Sequence, residues 1–152
     1  MSMPRILQSF LFVLVTNALW ASGPVTWRFG TKEAADGAIQ VTLRAICEEG
    51  WHLYALKLPR DDGPFPTVIH VTPSALYSVG EPIEPAPTEV EDPNFQMLVR
   101  YHGHEAEFIV PVKRISKEAF QVDGEVEFMC CNDKMCLPPV TVKFSVPVAA
   151  VK

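Results

Sequence analysis

Val140-Thr141-Val142-Lys143-Phe144-Ser145-Val146-Pro147-Val148 is the stretch that decides the fold. Its apolar side chains fall on every second position, the period of a strand with one face in a core and the other in water. Working outward, the same period recurs three times. Val25, Trp27 and Phe29 alternate with Thr26 and Arg28, and Ala106, Phe108, Val110 and Val112 with Glu107, Ile109 and Lys113. Ile39, Val41, Leu43, Ala45 and Cys47 alternate with Gln40, Thr42, Arg44 and Ile46. Shorter strand candidates occupy residues 51–56, 67–72, 76–79, 96–101 and 125–130. Asp36-Gly37, Glu49-Gly50, His102-Gly103 and Asp123-Gly124 read as turns between them. The best helical candidate, residues 116–120, spans a turn or two at most. Fourteen prolines in 152 residues also disfavour long helices. Seven to nine short strands at this spacing predict an all-β chain, an immunoglobulin-like antiparallel β-sandwich, with a small barrel as the alternative. The acidic, proline-rich residues 81–93 (EPIEPAPTEVEDP) read as a long loop, either a functional flap or a plain connection.

Composition narrows the function. At 48% hydrophobic and 20% charged, the chain can build a core and is not a disordered one. A net charge of −5 without a basic stripe argues against binding to nucleic acid. Arg5 precedes an apolar run from Ile6 to Trp20, then Ala21-Ser22-Gly23. The order of basic, apolar and small residues predicts a secretory signal peptide over residues 1–21, cut near Ala21, with an uncleaved anchor as the alternative. Residues 22–152 then form one exported domain. No second apolar run approaches the ~20 residues that span a bilayer, so no membrane insertion of the mature domain is expected.

Three of the four cysteines lie within Cys130-Cys131-Asn132-Asp133-Lys134-Met135-Cys136. On the strand leading in, Val126, Phe128 and Cys130 share one face, and Glu127, Met129 and Cys131 the other. If the Val/Phe face is core, Cys130 is buried and Cys131 is the more exposed thiol. A Cys130–Cys131 bridge would be a strained vicinal ring, which leaves Cys131 with Cys136 as the plausible pair. A disulfide closing so short a loop removes only about 2 kcal/mol of unfolded-state entropy, a weak staple, and this tilts the pair toward redox use. A structural disulfide and a metal-ligand pair stay open on spacing alone. No C-x-x-C is present and no helix starts at Cys131, so reactivity would rest on exposure, a partner, or polar neighbours such as Asp133 and Lys134. Pro138 and Pro139 would shape the loop's exit.

Elsewhere the plainer readings prevail. Cys47 is expected in the core beside Leu43 and Ala45, although it could partner Cys130. Trp27 and Trp51 read as core or edge aromatics. His102 and His104 could join the thiols in a zinc site. Met97, Met129 and Met135 could serve Cu(I). Asp61-Asp62 and Glu91-Asp92 read as solvated loop charges.

Cys131-Asn-Asp-Lys-Met-Cys136-Leu-Pro-Pro followed by an alternating strand resembles the N-terminal periplasmic domain of the DsbD-type thiol-disulfide interchange proteins, also called the disulfide bond corrector domain. Glu49-Gly50-Trp51-His52-Leu53-Tyr54, Gly63-Pro64-Phe65-Pro66-Thr67 and Glu91-Asp92-Pro93-Asn94-Phe95 fit family segments in the same order, so the likeness spans roughly residues 25–148. The resemblance implies an immunoglobulin-like sandwich with a redox pair, Cys131 and Cys136, at one end. Working without a cofactor, it would take reducing equivalents from a membrane-embedded thiol reductase. It would pass them to disulfide-carrying or thioredoxin-like proteins of the periplasm through mixed disulfides. Phe95 or Asn94 would cap the sulfurs, and His52 and Tyr54 would line the site. Some relatives space their cysteines by five residues, which Cys130 and Cys136 would satisfy, so Cys130 is the alternative thiol. The sequence ends at Lys152, so the reductase and its thioredoxin-like companion are expected to be separate proteins. The competing readings are an exported binding module with a structural disulfide and a periplasmic copper or zinc carrier.

Overall fold

In the computed structural model, which describes residues 20–33 and 38–151, the predicted alternation becomes paired backbone. The strands, in chain order, are β1 (Trp20–Ser22), β2 (Val25–Glu33), β3 (Ile39–Cys47), β4 (His52–Tyr54), β5 (Val68–Val71) and β6 (Tyr77–Val79). There follow β7 (Thr88–Asp92), β8 (Met97–Gly103), β9 (Glu105–Arg114), β10 (Phe120–Phe128), β11 (Cys130–Cys131) and β12 (Val140–Val148). All pairings are antiparallel. They form a five-stranded sheet (β1-β2-β3-β9-β6), a three-stranded sheet (β12-β10-β5) and a four-stranded sheet (β11-β4-β8-β7). The sheets keep open edges, which makes the fold an immunoglobulin-like sandwich and not a barrel. Most of residues 1–21, expected as a signal peptide, and the Asp36-Gly37 turn lie outside the described residues.

The main core lies between the first two sheets. Trp27, Val41, Leu43, Phe108, Val110, Val122, Val126 and Phe128 are almost wholly buried there. Aromatic contacts join the layers: Trp27 meets Phe128 at 5.3 Å between ring centroids, and Phe29 stacks on Phe144 at 5.0 Å. The four-stranded sheet extends one end of the sandwich. One face of it, with Leu53 and Cys130, closes the main core. The other carries a second, smaller cluster around Tyr54, Val99 and Cys131.

Local expectations fail at four places. Asp123-Gly124 is not a turn, because β10 runs straight through it, paired on both sides. Gly124 is there for space: a Cβ would lie 2.5 Å from the His70 carbonyl oxygen and from the Phe144 ring. Residues 116–120 form no helix. Ser116 Oγ accepts from the Glu118 amide, and the Arg114 guanidinium donates to the carbonyls of Ser116 and Glu118, so the local hydrogen bonds are spent on a turn. Residues 81–93 are not one loop, since Ile83 bridges to Ile109 and Thr88–Asp92 adds to the sheet as β7. His102 and Gly103 finish β8, and the reversal falls on His104 at φ 54°.

Candidate active site

The β10 chain breaks at Met129 and resumes as β11, where it pairs with β4: Cys130 lies opposite Leu53 and Cys131 opposite His52. The parity argument puts the two cysteines on opposite faces, as observed, with Cys130 3% exposed in the main core. Its second half is overturned. Cys131 is not the exposed thiol, because it is 0% exposed. Its face of the sheet is roofed by the second cluster, with Phe95, Met97 and Tyr101 packed against Tyr54, Val99 and Cys131. Cys136, half-buried, is the more exposed residue of the pair.

Cys131 and Cys136 are joined by a disulfide with Cα atoms 4.0 Å apart. The loop they close is a hairpin held by its own backbone. The Asn132 amide donates to the Met135 carbonyl and the Leu137 amide to the Cys130 carbonyl, each at 2.9 Å. Asn132 Oδ1 accepts from the amides of Lys134 and Met135, an Asx turn that fixes the tip. These hydrogen bonds hold the loop's shape alongside the sulfur bond. Asp133 sits exposed at the tip.

The roof is the turn between β7 and β8, and Asp92 holds it. Asp92 was expected to be a solvated loop charge, yet it is 1% exposed. Its Oδ1 accepts the amides of Asn94 (2.8 Å) and Phe95 (3.3 Å), and its Oδ2 accepts the Tyr54 hydroxyl (2.5 Å). Its carbonyl accepts the Gln96 amide, which lets the chain turn back through Gln96 at φ 53°. Phe95 then sits edge-on to Tyr54, with centroids 6.1 Å apart, in the same cluster as both bonded cysteines. Asn94, itself exposed, donates from Nδ2 to the Asn132 carbonyl at 2.9 Å and pins the roof to the disulfide hairpin.

His52 lies against the Tyr101 ring (4.5 Å) and edge-on to Tyr54 (5.3 Å). Its Nε2 is buried with no hydrogen-bond partner, 3.8 Å from Asp92 Oδ2. Burial lowers the imidazole pKa, against the opposing pull of Asp92 and Asp133. Burial, then the hydrogen bond to Asp92, pushes the Tyr54 phenol well above its usual range. The two free thiols lie on the main-core side. Cys47 is buried with its pKa pushed up to about 12, first by desolvation, and Cys130 is raised for the same cause. Thiols so disposed are inert.

The zinc and copper readings find little geometry. His102 lies on the main-core side, edge-on to Phe108 and 2.9 Å from Glu84 Oε2, away from the disulfide face. Among the described residues no three His, Cys, Asp or Glu side chains gather as a metal site. Asp92 was the functional residue that the sequence hid, and its only signal was its place in the acidic-aromatic segment.

The sequence model of the family described as "Thiol:disulfide interchange protein DsbD, N-terminal" matches residues 24–147. Sequence comparison with curated proteins finds no match. Among solved structures, the reduced DsbD N-terminal domain of Neisseria meningitidis is 22% identical with a TM-score of 0.59, covering 84% of this chain and 87% of that one. The N-terminal periplasmic domain of ScsB from Proteus mirabilis is 16% identical with a TM-score of 0.61, covering 87% of this chain and 50% of that one. A third match comes from the complex between the DsbD N-terminal and PilB N-terminal domains of Neisseria meningitidis, at 22% identity and a TM-score of 0.51, covering 76% and 77%. At these identities the structural likeness carries the fold, and the family match carries the assignment. The chain belongs to the DsbD N-terminal family and is a thiol-disulfide interchange domain.

Proposed function

We propose that this domain, exported behind a signal peptide over residues 1–21, relays reducing equivalents in the periplasm through Cys131 and Cys136. It would draw them from a membrane-embedded thiol reductase and deliver them to disulfide-carrying or thioredoxin-like proteins. The observation that carries the reading is a disulfide in a hydrogen-bonded hairpin, roofed by a turn that one buried carboxylate holds down. Such a bond contributes little to folding and can open without dismantling its surroundings. The complex of a DsbD N-terminal domain with a PilB N-terminal domain supports a protein partner for this domain.

Exposure orders the steps. Cys136, the more exposed of the pair, attacks the partner's disulfide, and the mixed disulfide forms there. Cys131 then attacks Cys136 Sγ, closing the domain's own disulfide and releasing the partner's second thiolate. Strand parity, which makes Cys131 the more exposed thiol, would instead have Cys131 attack first and Cys136 resolve. The test is the reduction potential of the pair, read by alkylation and mass in graded thiol/disulfide buffers. A value of roughly −200 to −270 mV supports the relay, and one well below −300 mV makes the bond a structural staple. Trapping checks the order: Cys131→Ser should accumulate a mixed disulfide through Cys136, and Cys136→Ser should not.

A further inference from the structure

We propose, resting on the reading of Cys131 and Cys136 as a working dithiol, that His52 takes the proton of Cys131 as that thiol closes the disulfide and returns it when the disulfide opens. In the disulfide form Cys131 is 0% exposed beneath the roof, which leaves its sulfur no water with which to exchange a proton. A low-pKa thiol normally needs a helix N-terminus or a cationic neighbour, and the described residues contain no helix. His52 is placed for the task. It is the cross-strand partner of Cys131 on the same sheet face, a position that sets Cβ atoms about 4.5–5.5 Å apart. Its Nε2 is buried without a hydrogen-bond partner, 3.8 Å from Asp92 Oδ2, so a proton taken up by the ring is held beside a carboxylate.

The groups facing His52 complete the arrangement. Tyr54, on its own strand, keeps its proton and spends it on Asp92. Tyr101 from β8 packs at a tilt against the ring. Asp92, at the end of β7, and Asp133, on the disulfide hairpin, both favour an imidazolium. With the disulfide closed, burial keeps the imidazole neutral, ready for a proton. In the closing step, Cys131–SH and neutral His52 become Cys131 thiolate and His52 imidazolium. The thiolate's electron pair forms the bond to Cys136 Sγ, and the Cys136–partner S–S bond breaks with its pair on the partner sulfur. Two electrons thereby leave the domain, and the partner is reduced.

The test uses reduced full-length mature protein and an equimolar aromatic nitrobenzoate disulfide that releases a coloured thiolate. The first release reports attack by Cys136 and the second reports closure by Cys131. In His52→Gln and His52→Phe, the pH midpoint of the second phase should rise by about one unit, the smaller end of a neighbouring charge's effect. Below the midpoint that phase should slow about threefold, because tenfold less thiolate is partly offset by a more nucleophilic one. The first phase should keep its profile. A second measurement needs no variant: the His52 ring proton signals in magnetic resonance should titrate at a higher pH in reduced wild type than in oxidised. Coincident profiles, uniform slowing at every pH, or an unmoved His52 titration would overturn the assignment. A wild type that shows no second phase, or yields no Cys131–Cys136 bond by mass, would instead overturn the dithiol reading itself.

Discussion

Asp92 is the side chain on which the site's shape depends. Its carboxylate accepts two amides of the roof turn and the Tyr54 hydroxyl. Asp92→Ala orphans a buried hydroxyl and two amides, and should cost about 1–3 kcal/mol by urea denaturation. The same variant should speed reduction of the disulfide by a small dithiol, because the Phe95 roof loses its anchor. Unchanged reduction kinetics would mean that the turn holds itself. His52 gives the residue scale a pH dependence. Its folded pKa lies below the ordinary value near 6.5, so the unfolded chain binds the extra proton first. The stability that this contributes is complete above about pH 6.5 and is lost as pH falls through the folded pKa. His52→Gln should flatten that part of the acid limb, measured as denaturation midpoints on either side of pH 6.5 in the oxidised protein.

At the scale of the element, β10 shows how a strand can read as two. Asp123-Gly124 carries a turn signature, yet the strand continues because Phe144 of β12 and the His70 carbonyl of β5 fill the space above Gly124. Gly124→Ala should therefore lower stability by about 1–3 kcal/mol with little change in the denaturant slope, because an added methyl must displace backbone as well as a ring. A neutral substitution would mean that β5 can draw away. The disulfide hairpin is the opposite case. A stretch with no strand or helix period is ordered by Asn132, whose side chain caps its own turn.

The molecule as a whole separates the main part of its stability from its disulfide. The main core is built of residues such as Trp27, Phe108 and Phe128, buried between two sheets. The bonded cysteines belong to the smaller cluster beyond the four-stranded sheet. Cys131→Ser/Cys136→Ser should then cost about 2 kcal/mol or less, the entropy of a very short loop. Phe128→Ala should cost about 3–5 kcal/mol. If the cysteine variant proves the more damaging by thermal or urea unfolding, the disulfide is part of the scaffold. A domain that cycles between dithiol and disulfide needs its fold to be nearly indifferent to the change.

The sequence by itself determined the long strands of an all-β chain, because a period of two is a local property and each carries it, whereas their open-edged stacking as a sandwich and not a barrel was decided by the tertiary structure. It also determined that Cys130 and Cys131 face opposite ways, since successive side chains on a strand must. It could mark residues 91–95 as a segment of interest, but not that Asp92 is buried there. Only the tertiary structure decided what stands over the second face. Parity divides a strand into two sides and assigns one to the core, but says nothing of whether a distant segment covers the other. Here the β7–β8 turn, some forty residues away in sequence, folds over that side. It turns the expected exposed thiol into the buried one and leaves Cys136 the more exposed of the pair, while the β4–β11 pairing sets an unpartnered imidazole opposite Cys131. Burial is a sum over everything that packs nearby, so it is set by the assembled chain and cannot be read along it.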